Sequence, residues 1–359
     1  MASFGFLASG NDGSSWYRAQ LPARALSWLK PKAHVAYERP HKIMLSTQMT
    51  DEMARCDVIV GARVAHPGAM PVWRRLKEDG KRLVLDLDDF YFKIDPSNKT
   101  AYNFWVHGID DRSKQNHGDG TMLANLRTNI ELSDVVTVCS EGLAEAIYKT
   151  TLHPNIKVIE NALDAGVAGV KRNYNPEILK IGWAGTENTA AWLPMIKDVV
   201  NKAAADKYGK RVYIEFVGVP GRVAGGMGFR FRKGYGRCIE FIHDMRAYAT
   251  EVATFDILLA PYRSTEFTEA KFPTKALEAG FMGIPLIASH IRPYADWITH
   301  GKTGFLVRNN AQHEWGRYLG ALIEDAGLRR SMGMEARDRA SENSLQDYLG
   351  EAWERACLD

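Results

Sequence analysis

Cysteine is scarce in this chain, and its placement indicates neither a disulfide framework nor a zinc site. Only four cysteines occur among 359 residues, and no two of them form a C-x-x-C pair. Such spacing favours reduced thiols in a cytoplasmic protein over disulfides or metal ligation. The cysteines are Cys56, Cys139, Cys238 and Cys357.

Long apolar runs are also missing. No stretch approaches the ~20 apolar residues that a membrane-spanning helix needs, so any contact with a membrane is expected to be peripheral. The opening MASFGFLASGNDG has no basic residues, and Gly and Ser interrupt its apolar run. It is therefore not expected to act as a signal peptide, and we predict a cytoplasmic location.

An excess of one charge sign and the common nucleotide fingerprints are absent as well. The formal net charge is only +3, which argues against a dedicated nucleic-acid coat or a strongly acidic partner. Neither the G-x-G-x-x-G pattern nor a P-loop occurs, which disfavours a dehydrogenase.

Short apolar runs that alternate with helix-like segments are what the sequence does contain. CDVIVGAR, KRLVLDLDD and SDVVTVCS are strand candidates in the first half, and ILKIGWAG, VYIEFVG, DILLAP and PLIAS follow in the second. This alternation is typical of parallel α/β sheets, and the length is about that of two domains. We predict an α/β fold of two Rossmann-like doubly wound domains that face a cleft.

The stretch AGVAGVKRNYNPE lacks a clean period and separates the two halves. We predict an N-terminal domain over 1–165, an interdomain linker over 166–177, and a C-terminal domain over 178–343, followed by a helix over 344–359.

Ligands of open α/β sheets bind beyond the carboxyl ends of the strands, so the loops there are the first candidates. In IGWAGTEN, Gly185 and Thr186 precede a helix whose free N–H groups suit a phosphate, although an ordinary turn fits equally. In GNDGSSWYR, Gly10 and Gly13 permit close approach of the backbone to a ligand. Arg18 could there reach a phosphate or an acceptor, or lie on a helix surface.

The stretch KFPTKALEAGFMGIP combines two cations and a carboxylate at a helix start. Pro273 suits a first helical turn, which puts Lys271 and Lys275 near the helix N-terminus and Glu278 one turn further in. Cations and free N–H groups favour a diphosphate, and the carboxylate could accept hydrogen bonds from a ribose diol. Taken alone, the same residues also fit a solvated lysine–glutamate pair.

Carboxylates cluster in DLDDF, where Asp86, Asp88 and Asp89 end a strand. They could act as a base, bind a divalent ion, or cap a turn. The insert that follows, YFKIDPSNKTAYNFWVHGIDD, contains His107 and has the character of a lid or an acceptor-binding loop. His243 follows the run CIEFI and could contact a nucleotide or lie in a surface turn.

A basic, glycine-rich stretch, GRVAGGMGFRFRKGYGR, spans 221–237 and carries no acidic residue. Its arginines with interleaved phenylalanines could bind a polyanion. A solvated hairpin fits the same composition.

Seven motifs follow one another in a recognisable order: SDVVTVCSEGL, VIENALD, KIGWAGTENT, EFVG, DILLAPY, KFPTKALEAGFMGIPLIAS and YADWITHGKTGFLV. Their order resembles that of the retaining glycosyltransferases of the GT-B fold, the group-1 or GT4-like superfamily. DLDD is also similar to a strand-end motif of one branch of it. The resemblance covers most of the chain and is strongest over 179–307.

The resemblance implies a glycosyltransferase that needs neither a metal nor another cofactor and that uses a nucleotide-diphosphate sugar. The C-terminal domain would bind this donor, the N-terminal domain the acceptor, and the helix over 344–359 would cross back to the N-terminal domain. The implied donor site comprises Gly10, Gly13, Gly185, Thr186, His243, Lys271, Thr274, Lys275 and Glu278, with the last matching the ribose-binding glutamate. Arg18, Asp88 and His107 are assigned to the acceptor, and Lys271, Lys275, Asp88 and Asp89 to catalysis.

One departure from the family pattern concerns the usual Glu-x7-Glu pair, whose first position here is Ala270. This departure motivates a non-catalytic sugar-nucleotide-binding protein as one alternative. A sugar-nucleotide epimerase of the GT-B fold is a separate alternative, against which the long aromatic insert after DLDDF argues. The acceptor is left open between a glycan, a protein, a small molecule and modified DNA.

Overall fold

The computed structural model describes residues 2–8, 10, 12–38, 51–110, 114–163, 172–204, 208–231, 233–343 and 348–359. Contacts divide the chain into two compact units. Unit 1 comprises Met1–Leu163, Glu269–Phe272 and Asn343–Asp359, and unit 2 comprises Asp164–Thr268 and Pro273–Glu342. The assignment of Glu269–Phe272 to unit 1 was not foreseen, since the sequence placed this segment inside the C-terminal domain.

Unit 1 is built on a parallel sheet of six strands in the order β2-β1-β3-β4-β7-β8. The order reverses between β1 and β3, which is the topological switch point of a doubly wound sheet. A separate antiparallel pair, β5 with β6, lies in the insert after β4. The strands are β1 (Phe4–Leu7), β2 (Val35–Glu38), β3 (Val58–Ala62), β4 (Arg82–Leu87), β5 (Ile109–Asp110), β6 (Gln115–Asn116), β7 (Val135–Val138) and β8 (Ile156–Val158).

Helices connect these strands. A π-helical segment, Trp16–Gln20, joins the first two helices. The insert that the sequence indicated as a lid contains a helix and a hairpin, and the Tyr91 and Trp105 rings stack there with centroids 4.1 Å apart. The helices of unit 1 are α1 (Gly13–Ser15), α2 (Leu21–Leu29), α3 (Asp51–Ala54), α4 (Met70–Glu78), α5 (Lys99–His107), α6 (Thr121–Leu132), α7 (Glu141–Thr151) and α17 (Gly350–Leu358).

Unit 2 contains a second parallel sheet of six strands, in the order β11-β10-β9-β12-β13-β14. Counted within the sheet, this is the 3-2-1-4-5-6 order of dinucleotide-binding folds, with its switch point between β9 and β12. The prediction of two doubly wound α/β domains is confirmed. The strands are β9 (Leu179–Ala184), β10 (Val212–Val217), β11 (Gly236–Ile239), β12 (Ile257–Ala260), β13 (Leu286–Ser289) and β14 (Phe305–Val307).

The helices of unit 2 differ from the sequence prediction at one place. The apolar pattern of TAAWLPMIKDVVNKAAA predicts a single helix, but a 3-10 segment breaks it at Leu193–Ile196, where Pro194 cannot donate the backbone hydrogen bond of a helix interior. The helices are α8 (Glu187–Ala190), α9 (Lys197–Lys202), α10 (Gly221–Gly226), α11 (Met245–Val252), α12 (Glu266–Glu269), α13 (Thr274–Met282), α14 (Arg292–Trp297), α15 (Gln312–Glu324) and α16 (Ala326–Ser341).

Burial explains why these strands could be found from the sequence. Every residue of β3, β7, β12 and β13 is buried, because helices cover both faces of a parallel sheet. A strand in that position needs apolar side chains throughout, and it therefore appears as a continuous apolar run.

The described part of the predicted linker is anchored to unit 2. The Arg172 guanidinium donates hydrogen bonds to the carbonyl oxygens of Ala253, Phe255 and Met282, at 2.8, 2.5 and 3.0 Å. Ala253 and Met282 lie at the C-terminal ends of α11 and α13, where carbonyl groups lack intrahelical partners. Residues 166–171 of the predicted linker lie outside the described residues.

Gly218 is a position where only glycine fits, and it supports the loop after β9. Its φ is +94°, and a Cβ there would lie 1.8 Å from the Gly185 carbonyl oxygen. We expect Gly218→Ala to lower the free energy of unfolding by more than about 1 kcal/mol, as measured by urea denaturation. Gly225→Ala is the control: Gly225 is helical, a Cβ there would contact nothing within 4 Å, and alanine should leave stability unchanged or raise it. Equal losses in both variants would contradict this expectation.

Candidate functional site

In unit 1, charged side chains from consecutive strand ends meet at the switch point. The loop after β1 contributes Gly10, whose N–H donates to Ser15 Oγ at 2.9 Å, and Asp12, whose carboxylate caps the next helix by accepting from Ser15 N at 2.9 Å. Gly13 opens that helix, and a Cβ there would contact nothing within 4 Å. A Cβ at Gly10 would lie 3.1 Å from Asp12 Oδ2, so the open space beside this backbone is at Gly13.

Arg63 joins this loop to the next ones, and sequence reasoning missed it. It directly follows β3, has a left-handed backbone with φ +54°, and its N–H donates to the Asp86 carbonyl oxygen at 2.9 Å. Its guanidinium lies 3.0 Å from Asp12 Oδ2 and 3.8 Å from Asp88 Oδ1. Burial alone would raise the pKa of Asp12, but Arg63 and the Ser15 N–H outweigh it and lower the pKa to about 2. Arg63 could have been identified from the sequence by its position directly after a strand, where ligands of such sheets bind.

Asp88 and Asp89 each have a partner in unit 1. The Tyr91 hydroxyl donates to Asp88, and the Lys271 ammonium pairs with Asp89. Burial raises the pKa of Asp89 although Lys271 opposes the shift. Lys271 was expected at the donor diphosphate. It belongs to the segment Glu269–Phe272 of unit 1, and its ion pair with Asp89 lies within that unit.

Ala270, the residue that departs from the family pattern, is 3% exposed. Its carbonyl oxygen accepts a hydrogen bond from Ser140 Oγ at 2.7 Å. Ser140 is also the N-cap of α7, where its side chain accepts from Leu143 N. The backbone of this position is therefore held by the β7–α7 turn.

The Arg18 side chain is buried inside unit 1, where it makes an ion pair and a hydrogen bond. It is 1% exposed, its Nη2 lies 2.7 Å from Asp86 Oδ1, and its Nη1 donates to the Ile159 carbonyl oxygen at 2.5 Å. Asp86 in turn accepts from Thr137 Oγ1 at 2.7 Å. Asp86 holds the pKa of Arg18 above its usual range against the effect of burial. This position supports a structural role and gives no support to the predicted contact with an acceptor.

His107, which was also assigned to the acceptor, lies in the last turn of α5. Its Nδ1 is 3.1 Å from Asp119 Oδ1, and its side chain is 41% exposed.

In unit 2 the loop after β9 turns at Gly185, whose N–H donates to the Val217 carbonyl oxygen at 3.0 Å. Thr186 is the N-cap of α8, and its N–H donates to Thr189 Oγ1 at 3.1 Å. Across the switch point, Tyr262 follows β12 and its N–H donates to Ser289 Oγ at 2.7 Å. The structure thus keeps the predicted glycine turn but follows it with a helix of only four residues.

The start of α13 brings two predicted residues together. Lys275 Nζ lies 2.8 Å from Glu278 Oε2, and Glu278 is 2% exposed, so the pair is not a solvated surface pair. Tyr248, from α11, completes the group: its hydroxyl donates to Glu278 Oε2 at 3.0 Å and accepts from Lys275 Nζ at 2.5 Å. Sequence reasoning missed Tyr248, although it lies one turn into the helix after β11.

The remaining predicted donor residues flank this group in sequence. Thr274 is the first residue of α13. His243 is exposed just ahead of α11, and its ring lies 4.9 Å from that of Phe241.

Two phenylalanines of the basic stretch over 221–237, Phe229 and Phe231, pack against the core of unit 2. Phe229 is buried, and its ring centroid lies 4.8 Å from that of Phe216 in β10. The Phe231 ring lies 5.3 Å from the same ring. These phenylalanines pack against the core, which removes the sequence argument for aromatic contacts with a nucleic acid.

Membrane-spanning helices and metal-ligating clusters are both absent from the described residues. In that part of the chain no helix is long and apolar enough to cross a membrane. Among the same residues no group of three or more His, Cys, Asp or Glu side chains is arranged to hold a metal ion.

Comparison with known proteins gives a family for part of the chain. Residues 237–339 match the model of the family described as glycosyl transferases group 1. A D-inositol 3-phosphate glycosyltransferase of Nocardia farcinica is 32% identical over 91 residues, which are 23% of this chain and 20% of that protein. The chain therefore spans about a fifth of the length of this curated relative.

Solved structures resemble the chain over nearly its whole length. Sucrose-phosphate synthase from Thermosynechococcus elongatus is similar with a TM-score of 0.66 and 14% identity, over 99% of this chain and 96% of that one. Anabaena HepE, solved in complex with UDP-glucose, has a TM-score of 0.64 and 14% identity, over 99% of both chains. At this identity the likeness shows the fold alone. The family match is confined to residues 237–339, and over nearly the whole chain the fold is similar to that of these solved structures.

Proposed function

We propose that the protein transfers a sugar from a nucleotide-diphosphate sugar to an acceptor hydroxyl. The observation that carries the proposal is the ion pair of Lys275 with the buried Glu278 at the start of α13, inside the segment that matches the family. A carboxylate can accept hydrogen bonds from both hydroxyls of a ribose, and an ammonium group beside it can bind a diphosphate. Glu278 is assigned to the ribose and Lys275 to the diphosphate.

The chemistry that we propose needs charge stabilisation more than a protein nucleophile. The acceptor hydroxyl oxygen forms a bond to the anomeric carbon while the bond from that carbon to the β-phosphate oxygen breaks. The hydroxyl proton passes to a diphosphate oxygen, and the nucleoside diphosphate leaves with the negative charge. Lys275 stabilises that charge as it develops. If the acceptor oxygen attacks from the same face of the sugar from which the leaving group departs, the anomeric configuration is retained. This scheme requires no metal.

The acceptor side is proposed for unit 1, with Asp88 as the residue that orients the acceptor hydroxyl. Asp88 lies beside Arg63 and accepts from Tyr91, so its orientation is fixed by two neighbours. Asp89 and Lys271 are bound to each other, and we assign that pair to holding the segment Glu269–Phe272 within unit 1. The class of acceptor stays open between glycan, protein, small molecule and modified DNA.

A thermal-shift panel of nucleoside diphosphates and their sugars tests the donor proposal. A ligand at about 100 times its Kd stabilises the folded state by about 2.7 kcal/mol, so at least one nucleotide is expected to raise the melting temperature clearly. UDP and UDP-glucose come first, because HepE was solved with the latter. Slow release of free sugar from the donor without an acceptor would then support an enzyme over a binding protein. A panel without any shift would contradict the donor site.

A further inference from the structure

Tyr248 occupies an unexpected place in the proposed donor site. Glu278 Oε2 accepts one hydrogen bond from the Tyr248 hydroxyl at 3.0 Å and another from Lys275 Nζ at 2.8 Å. Lys275 Nζ also donates to the Tyr248 hydroxyl at 2.5 Å. The three side chains close a ring of hydrogen bonds within unit 2.

The position of this hydroxyl is set by a helix and by packing. Tyr248 lies in α11, whose N-cap Asp244 accepts from the N–H groups of Arg246 and Ala247 at 2.9 and 2.8 Å. The Tyr248 side chain is 8% exposed, and Lys275 Nζ lies 5.1 Å from its ring centroid. Burial raises the pKa of the Tyr248 hydroxyl, and the Glu278 charge raises it further. The hydroxyl therefore stays protonated and acts as a donor.

A phenol that donates to a carboxylate makes the same kind of bond as a ribose hydroxyl. We propose that Tyr248 is a specificity-determining residue of the nucleotide site, which competes with the ribose for Glu278, so that a nucleotide binds by exchanging the tyrosine hydroxyl for its own. This inference rests on the proposed function, because it needs Glu278 to bind the ribose. The exchange reduces the net binding free energy that a ribose hydroxyl contributes in the wild-type protein. The hydrogen bond that this hydroxyl makes to Glu278 replaces the one that the Tyr248 hydroxyl loses.

The variant Tyr248→Phe keeps the ring and removes only the hydroxyl. Isothermal titration with UDP and with 2′-deoxy-UDP gives the ratio of their dissociation constants, and the guanosine and adenosine pairs are run alongside. We expect the preference for the ribonucleotide to rise about fivefold in the variant, which is the effect of one net hydrogen bond. If Tyr248 only stabilises the helix, its substitution would change the dissociation constants of UDP and 2′-deoxy-UDP by the same factor. An unchanged or smaller preference for the ribonucleotide would overturn the inference.

Tyr318→Phe is the matched control. Tyr318 is also 8% exposed and lies in unit 2, but its hydroxyl accepts from Arg317 Nη2 at 2.6 Å and does not contact Glu278. Its ribose preference is expected to equal that of the wild type.

Two failures can be told apart. If the wild-type protein binds none of these nucleotides, the proposed function fails, whereas binding with an unaltered preference in Tyr248→Phe removes only the role of Tyr248. The preference is a ratio measured on one preparation, so a partly unfolded sample does not distort it. Tyr248→Leu repeats the test without a ring should the phenylalanine variant fail to fold.

Discussion

Glu278→Ala is expected to abolish the rise in melting temperature that a nucleoside diphosphate gives the wild-type protein. Hydrogen bonds to a charged group contribute about 1.5–3 kcal/mol each, so the loss of both ribose hydrogen bonds should weaken binding by roughly 100-fold or more. The variant without ligand should also melt earlier, because Lys275, 16% exposed at its side chain, loses its carboxylate partner. The measurement is a thermal-shift titration with and without the nucleotide that stabilises the wild type.

Glu215→Ala separates these two effects. Glu215 is a fully buried carboxylate in β10, paired with Arg237 at 2.5 Å and Lys180 at 3.3 Å. Its removal should lower the melting temperature of the unliganded protein but preserve the rise caused by the nucleotide. If Glu278→Ala behaves in the same way, the ribose assignment is wrong.

Arg18→Met is expected to cost unit 1 about 3–5 kcal/mol of unfolding free energy. The change leaves Asp86, which is 1% exposed, without its cation, and an uncompensated buried charge is strongly destabilising. The Ile159 carbonyl oxygen also loses its donor. Urea denaturation monitored by tryptophan fluorescence measures the loss.

The ion pair between Lys77 and Asp134 provides the comparison, since its side chains are 38% and 33% exposed. Lys77→Met should cost less than about 1 kcal/mol, as is usual for exposed pairs. The double variant Arg18→Met with Asp86→Leu should recover part of the loss, because it removes the unpaired charge. A cost for Arg18→Met no larger than that for Lys77→Met would contradict a buried structural pair.

Local sequence patterns, such as apolar runs and helical spacing, predicted much of this fold and a part of the candidate site. The strand β12 could be found because DILLAP is an apolar run of strand length, and both faces of a parallel strand must be apolar. Lys275 and Glu278 could be paired in advance because residues three apart share a helix face. The break at Leu193–Ile196 was missed, since Pro194 falls inside an otherwise helical pattern, although proline itself was the warning.

Long-range contacts were beyond such patterns. Arg18 has the local signature of a surface cation, and only the approach of Asp86, 68 residues away, buries it. Phe229 and Phe231 looked available for stacking until the Phe216 ring was placed against them.

The local sequence predicts the two α/β domains, because periodicity and strand-end glycines are properties that each stretch of chain carries. It also determined the candidate pair of Lys275 and Glu278, whose spacing is fixed by one helix. Tertiary structure alone decided the partners: Tyr248 on Glu278, Arg63 between Asp12 and Asp88, and Lys271 on Asp89. These contacts join residues far apart in the chain, and which side chains meet depends on how strands order and helices pack, which no local pattern encodes.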